Sequence, residues 1–161
     1  MRVILAKALL SSLLFPFLRN RPKNNGQPKS NWSIIKHMAK TILIIEDDDF
    51  LLGMEAKKMA TVGYNVLTAI NSIAAFEILN NEKNLVDLIL LDLLLPDVDG
   101  FAILQMIREH PVYGKVPVII FSNIYEDKDI KRANALGVNQ FLIKSNFTLD
   151  ELVEKITTLI T

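Results

Sequence analysis

Residues 42–45 and 88–91 of this chain read Ile-Leu-Ile-Ile and Leu-Ile-Leu-Leu, with no polar residue in either. A strand with one face in water alternates apolar and polar side chains, so an unbroken aliphatic run belongs to a strand covered on both faces. Parallel sheets have that property, because their crossover connections lay helices over both faces. Each run here is followed by a segment of helical periodicity. Strands are expected over residues 41–46, 64–69, 87–91, 116–121 and 138–143. The first helix is expected over 49–62, stopped by Gly63, and the second opens at Asn71 or Ser72 and runs through Leu79. The third spans 100–110 and ends before Pro111, and the fourth spans 127–136 and ends at Gly137. A capping box, Thr148-x-x-Glu151, opens the fifth. Alternation of this kind indicates an α/β fold, a doubly wound five-stranded parallel sheet with five helices. Right-handed crossovers leave few topologies, of which the flavodoxin-like order 2-1-3-4-5 is a common one.

Charge divides the chain. Residues 1–40 carry eight Lys/Arg and no acid, whereas residues 41–161 carry ten basic and eighteen acidic side chains, 10 − 18 = −8. An acidic domain without a basic stripe is a poor nucleic-acid binder. There is no cysteine, and His37 and His110 are the only histidines, which excludes thiolate chemistry and argues against a histidine-built zinc site or a Ser-His-Asp triad. Residues 3–18 are apolar but interrupted by Lys7 and Pro16, too short for a confident membrane span. Residues 19–33 read as a polar linker. Residues 1–39 are therefore expected to be an extension outside the domain, with Met38 as a natural start and a weak anchor or export signal as the competing reading, and the domain to occupy residues 40–161.

In a doubly wound sheet, ligands collect at the carboxyl ends of the strands, beside the switch point between strands 1 and 3. Here those ends carry Glu46, Asp47 and Asp48 after strand 1, Asp92 after strand 3, Ser122 after strand 4 and Lys144 after strand 5. Taken singly, Asp48 or Asp49 is a helix cap, Asp97 and Asp99 are turn residues, and Ser122 and Lys144 are ordinary surface groups. Asp92 resists that treatment, since it interrupts Leu88–Leu91 and Leu93–Leu95. Two carboxylates about 5 Å apart repel by roughly 3 kcal/mol at an effective dielectric of 20. Three of them on one rim call for a cation, and an all-oxygen donor set suits Mg²⁺. Carboxylate-held Mg²⁺ beside a lysine and a hydroxyl suits a phosphoryl group, with a central carboxylate as nucleophile.

These motifs, Ile42–Asp48 (ILIIEDD), Asp87–Gly100 (DLILLDLLLPDVDG), Val116–Ser122 (VPVIIFS) and Phe141–Ser145 (FLIKS), resemble the receiver domain of two-component response regulators. The resemblance runs from about Lys40 to the end of the sequence. It implies that Asp92 accepts phosphate from a sensor histidine kinase or phosphotransfer protein. It further implies Mg²⁺ held by Glu46, Asp47, Asp92 and the backbone carbonyl of Leu94, with Lys144 on the phosphoryl oxygens. Ser122 and Phe141 would be the switch pair, biasing a face made by helix 4, strand 5 and helix 5 toward a downstream effector protein. Such a protein is a bacterial-type cytoplasmic phosphoacceptor rather than an enzyme, without direct nucleic-acid or membrane contact. With no output domain in the sequence, it is expected to act as a stand-alone receiver.

Departures from the family pattern are Ser145, where proline usually follows the lysine, and Asn123, where a small residue usually follows the switch hydroxyl. Leu94 and Ile124, which flank the path of hydrolytic water, are both aliphatic, so slow self-dephosphorylation is expected. Two other readings compete. A receiver-like interaction module could work without phosphorylation, and a Mg²⁺-dependent phosphatase could use an Asp nucleophile. The second class needs an acid two positions after the nucleophile, where this chain has Leu94.

Overall fold

The computed structural model describes residues 40–160 apart from Glu82 and Tyr125. The expected extension, linker and domain boundary before Lys40 lie outside these described residues. Strand and helix alternate as β1 (Thr41–Ile45), α1 (Asp49–Thr61), β2 (Asn65–Ala69), α2 (Ser72–Leu79), β3 (Leu88–Leu91), α3 (Gly100–Glu109), β4 (Val118–Ser122), α4 (Asp127–Ala135), β5 (Gln140–Ile143) and α5 (Leu149–Ile160), with a 3-10 turn at Lys144–Asn146. The strands pair in parallel in the order β2-β1-β3-β4-β5. This is the flavodoxin-like order expected from the sequence.

The period of two along each buried strand divides its aliphatic side chains between two cores. Leu43, Ile45, Ile89, Leu91, Val118 and Ile120 share one cluster with Ala75 and Leu79 of α2, Ile103, Leu104 and Ile107 of α3, and Ala133 of α4. Ile42, Ile44, Leu88, Leu90, Ile119 and Phe121 share the other with Leu52 and Met59 of α1 and Leu152, Ile156 and Ile160 of α5. Each fully buried aliphatic side chain contributes about 1.5–3 kcal/mol relative to exposure. The unbroken runs are thus explained by helices on both faces.

Element ends follow the local hydrogen-bond chemistry. The Asp48 side chain accepts from Phe50 N and Leu51 N at the start of α1, and Asn71 accepts from Ala74 N at the start of α2. At α5 the capping box closes, with Thr148 N donating to Glu151 Oε2 and Glu151 N donating to Thr148 Oγ1. Gly63 and Gly137 follow α1 and α4 with φ of 97° and 75°, in the left-handed region that favours glycine. Four strands start later than expected, β3 by one residue at Leu88. Tyr64 N turns back to Met59 O, and Val138 N to Ala133 O, so both residues finish helices instead of opening strands. Pro117 has no N–H for the ladder, and β4 begins at Val118. Among the described residues no helix is long and apolar enough to cross a membrane.

One glycine fixes the loop that carries the site. A Cβ on Gly100 would lie 2.4 Å from Leu93 Cα and 2.8 Å from Leu93 O. The start of α3 therefore packs directly on the backbone of the residue following Asp92. Gly100→Ala is expected to destabilise the fold by about 1–3 kcal/mol in urea denaturation, whereas Gly53→Ala, with open space around its Cβ position, is expected to cost nothing measurable.

Candidate functional site

The carboxyl ends of β1, β3, β4 and β5 form one rim, because parallel register brings them level. Ile45 pairs with Leu91, Leu91 with Ile120, and Ser122 with Ile143. The next residue along β1, β3 and β5 is Glu46, Asp92 and Lys144. Glu46 N donates to Ala69 O and Asp92 N to Ile45 O, which holds both acids in the sheet frame after the strands end.

Lys144 joins the other two. Its Nζ donates to Glu46 Oε2 and to Asp92 Oδ2, both close contacts, and its side chain is 10% exposed. Asp92 Oδ1 accepts from Ser122 Oγ at 2.6 Å and from Leu94 N at 2.9 Å. Glu46 Oε1 accepts from Asp48 N at 3.4 Å. Glu46, Asp92 and Ser122 are all buried, while Asp47 stands exposed at the rim. One carboxylate oxygen from each of Glu46, Asp47 and Asp92 lies within 4.8 Å of the others. That spacing and the oxygen-only donor set fit a hard divalent cation.

Burial raises the Glu46 pKa, and its hydrogen bond to Lys144 offsets this only in part. For Lys144, burial works against the charge, but the hydrogen bonds to Asp92 and Glu46 outweigh it and hold the ammonium above its usual pKa. The lysine therefore remains a cation among acids.

Of the remaining expected residues, Phe141 is half-buried on β5 and packs against the α2–α3–α4 core. Leu94 is 55% exposed at the mouth of the rim, with Asn123 exposed and Ile124 half-buried after β4. Two features were not anticipated. Asp97 reaches across to α2, its Oδ2 accepting from Ser72 N at 2.9 Å and Ser72 Oγ at 2.6 Å, and these bonds hold its pKa below the usual carboxylate range. Together with Asp99, which caps α3, it ties down the loop after Asp92. The second is Glu55 on α1, only 3% exposed. Its spacing from Leu52 and Met59, three and four residues, is that of a core-facing helix position and was the available signal.

Residues 42–157 match the family model described as the response regulator receiver domain. The chain belongs to the response regulator receiver domain family. The transcriptional regulatory protein KdpE of Staphylococcus aureus is 37% identical to this receiver domain over 74% of the chain and 49% of that protein. The chain spans between 16% and 57% of the lengths of four curated relatives. Among solved structures, the phosphorylated cyanobacterial phytochrome response regulator RcpA is 29% identical with a TM-score of 0.64, covering 74% of this chain and 89% of its own. The Mn²⁺-bound form of response regulator Rcp1 is 27% identical with a TM-score of 0.65, covering 74% and 92%.

Burial, followed by the charges of Glu46 and Asp92 against that of Lys144, pushes the Glu55 carboxyl up to about 8 from an ordinary 4.5. Between those values the folded receiver domain keeps a proton that the unfolded chain has lost, so rising pH removes stability. This group's share of the slope is at most about 1.4 kcal/mol per pH unit. Glu55→Leu is expected to flatten the fall in unfolding free energy between pH 5 and pH 8, and to exceed the wild type in stability at pH 8. Parallel pH profiles in urea denaturation would contradict this.

Proposed function

We propose that this receiver domain, residues 40–161, is a phosphoacceptor in which Asp92 takes a phosphoryl group from a phosphohistidine of a sensor kinase or phosphotransfer protein. The observation that carries the reading is the convergence of Glu46, Asp47 and Asp92 oxygens within 4.8 Å, with Lys144 bonded to two of the three acids. The metal in Rcp1 and the phosphorylated state of RcpA support it by likeness.

In this reading Glu46, Asp47, Asp92 and the Leu94 carbonyl hold Mg²⁺, which when bound supplies positive charge against the carboxylates and the phosphoryl oxygens. An Asp92 oxygen attacks phosphorus, and the P–N bond to the donor histidine breaks. The imidazole leaves with the bonding pair and is neutral once protonated. Lys144 turns from the Asp92 carboxylate to the transferred group, whose oxygens bear more negative charge. Ser122, now donating to Asp92 Oδ1, finds a phosphoryl oxygen as its new acceptor. That change of partner at the end of β4, with Phe141 beside it on β5, biases the face of α4, β5 and α5 toward a downstream effector. The domain works in the cytoplasm, through protein contacts and not through nucleic acid. The Asp92–Lys144–Glu46 constellation weighs against a module that never carries phosphate.

Wild-type protein given acetyl phosphate and Mg²⁺ is expected to incorporate acid-labile phosphate. Asp92→Asn is expected to incorporate none, and chelation of Mg²⁺ to slow the wild type by at least tenfold. Equal labelling of Asp92→Asn overturns the assignment. Once formed, the phosphorylated state is expected to persist for hours, because Leu94 and Ile124 offer no donor or acceptor to orient attacking water. Loss of the label within a minute contradicts that account.

A further inference from the structure

Beside the rim, a cleft of about 330 Å³ opens between α1, the end of β4 and the connection from β5 to α5. Leu51 and Met54 of α1, Phe121 of β4, and Phe147 and Leu149 at the start of α5 give it mostly apolar walls. Glu55, at 3% exposure, also lines it, as do Lys144, Asn123 and Ser145 on the side of the rim. Glu46 and Asp92, the other buried acids among the described residues, both have their partners in Lys144 and nearby N–H or O–H groups. Glu55 has neither a hydrogen bond nor an ion pair to any described residue.

Charge and shape decide what would satisfy the carboxyl. After burial itself, Glu46 and Asp92 act on Glu55 with negative potential and only Lys144 opposes them. Residues 41–161 as a whole, with ten basic against eighteen acidic side chains, carry a net −8. A cation is attracted here and an anion repelled. Leucine, methionine and phenylalanine walls would strip water from a ligand and give nothing back to a strongly hydrated inorganic ion, but they suit an alkyl or aryl body. Aromatic faces also favour a soft cation, and the Lys144 ammonium already lies 6.0 Å from the Phe121 ring centroid. The volume is at the low end for small-molecule sites, enough for one ring and a short chain.

We infer that this cleft binds a small organic monocation with an apolar body, an alkyl- or arylalkyl-ammonium or -guanidinium compound whose head pairs with the Glu55 carboxylate. The site is distinct from the acid cluster at the rim, and its occupation does not require phosphate on Asp92. Because the ligand would lie between α1 and Lys144, it would touch the one cation that the phosphorylation rim depends on.

Calorimetry with 2-phenylethylammonium on the full chain in physiological salt at pH 9, where the Glu55 carboxyl is ionised and the amine is still a cation, tests the inference. Wild-type protein and Asp47→Ala are expected to bind it alike, at submillimolar concentration, and to bind ethylammonium at least tenfold more weakly. Glu55→Gln keeps the side-chain shape and removes the charge, and Glu55→Leu removes both; each is expected to lower affinity at least tenfold while remaining folded by circular dichroism. Unchanged affinity in Glu55→Gln overturns the site. So does an equal loss in Asp47→Ala, which would assign the binding to the rim. Saturation only by a cationic peptide, and not by the free amine, would replace the small ligand with a protein partner and also overturn the inference.

Discussion

The Lys144 ammonium, bonded at once to Glu46 and to Asp92, is the contact on which the rest of the rim depends. Two buried carboxylates at the ends of neighbouring strands repel each other, and burial raises the pKa of Glu46. The lysine arrives from the far side of the sheet, at the end of β5, and offsets both effects. Three strands that never pair with one another as a set are thereby linked through side chains at a single point. Removing the amine would leave the repulsion between Glu46 and Asp92 without a compensating charge. The stability of the apical rim and its proposed chemistry therefore rest on the same charge balance.

The arrangement also shows why the site lies where it does. Parallel strands end level with one another, so residues at the same offset past each strand meet whatever their distance in sequence. Glu46, Asp92 and Lys144 are separated by 46 and 52 positions and yet share hydrogen bonds. The loop after Asp92 is then fixed from three directions: Leu94 N on Asp92 itself, Asp97 on the start of α2, and Gly100 pressed against Leu93. A loop pinned in this way keeps the proposed nucleophile and the proposed metal-ligating backbone in one frame.

Much of this was legible in the sequence, for a physical reason. Unbroken aliphatic runs such as Ile42–Ile45 have one stable environment, the middle of a covered parallel sheet, and the polar residues that terminate them are then carried to the rim by topology alone. Caps were legible too, since Asp48, Asn71 and Thr148 act through bonds to residues two or three positions away. Strand starts at Tyr64 and Val138 were misread because a helix C-terminus claimed their N–H groups, a competition that periodicity does not register. Glu55 and the Ser72–Asp97 tie were missed for a different reason. Each depends on which groups face it across space: the spacing of Glu55 from Leu52 and Met59 marks a core-facing position, but not the charged groups that it meets there.

Chemical mapping of the modified residue tests the central claim most directly. Protein phosphorylated with acetyl phosphate and Mg²⁺ can be reduced with borohydride, which converts an acyl phosphate to the corresponding alcohol, and the altered position read by peptide mass spectrometry. Reduction at residue 92 alone, dependent on Mg²⁺, is the predicted result. Reduction at Glu46 or Asp47, or none at residue 92 in protein that has taken up phosphate, would contradict it.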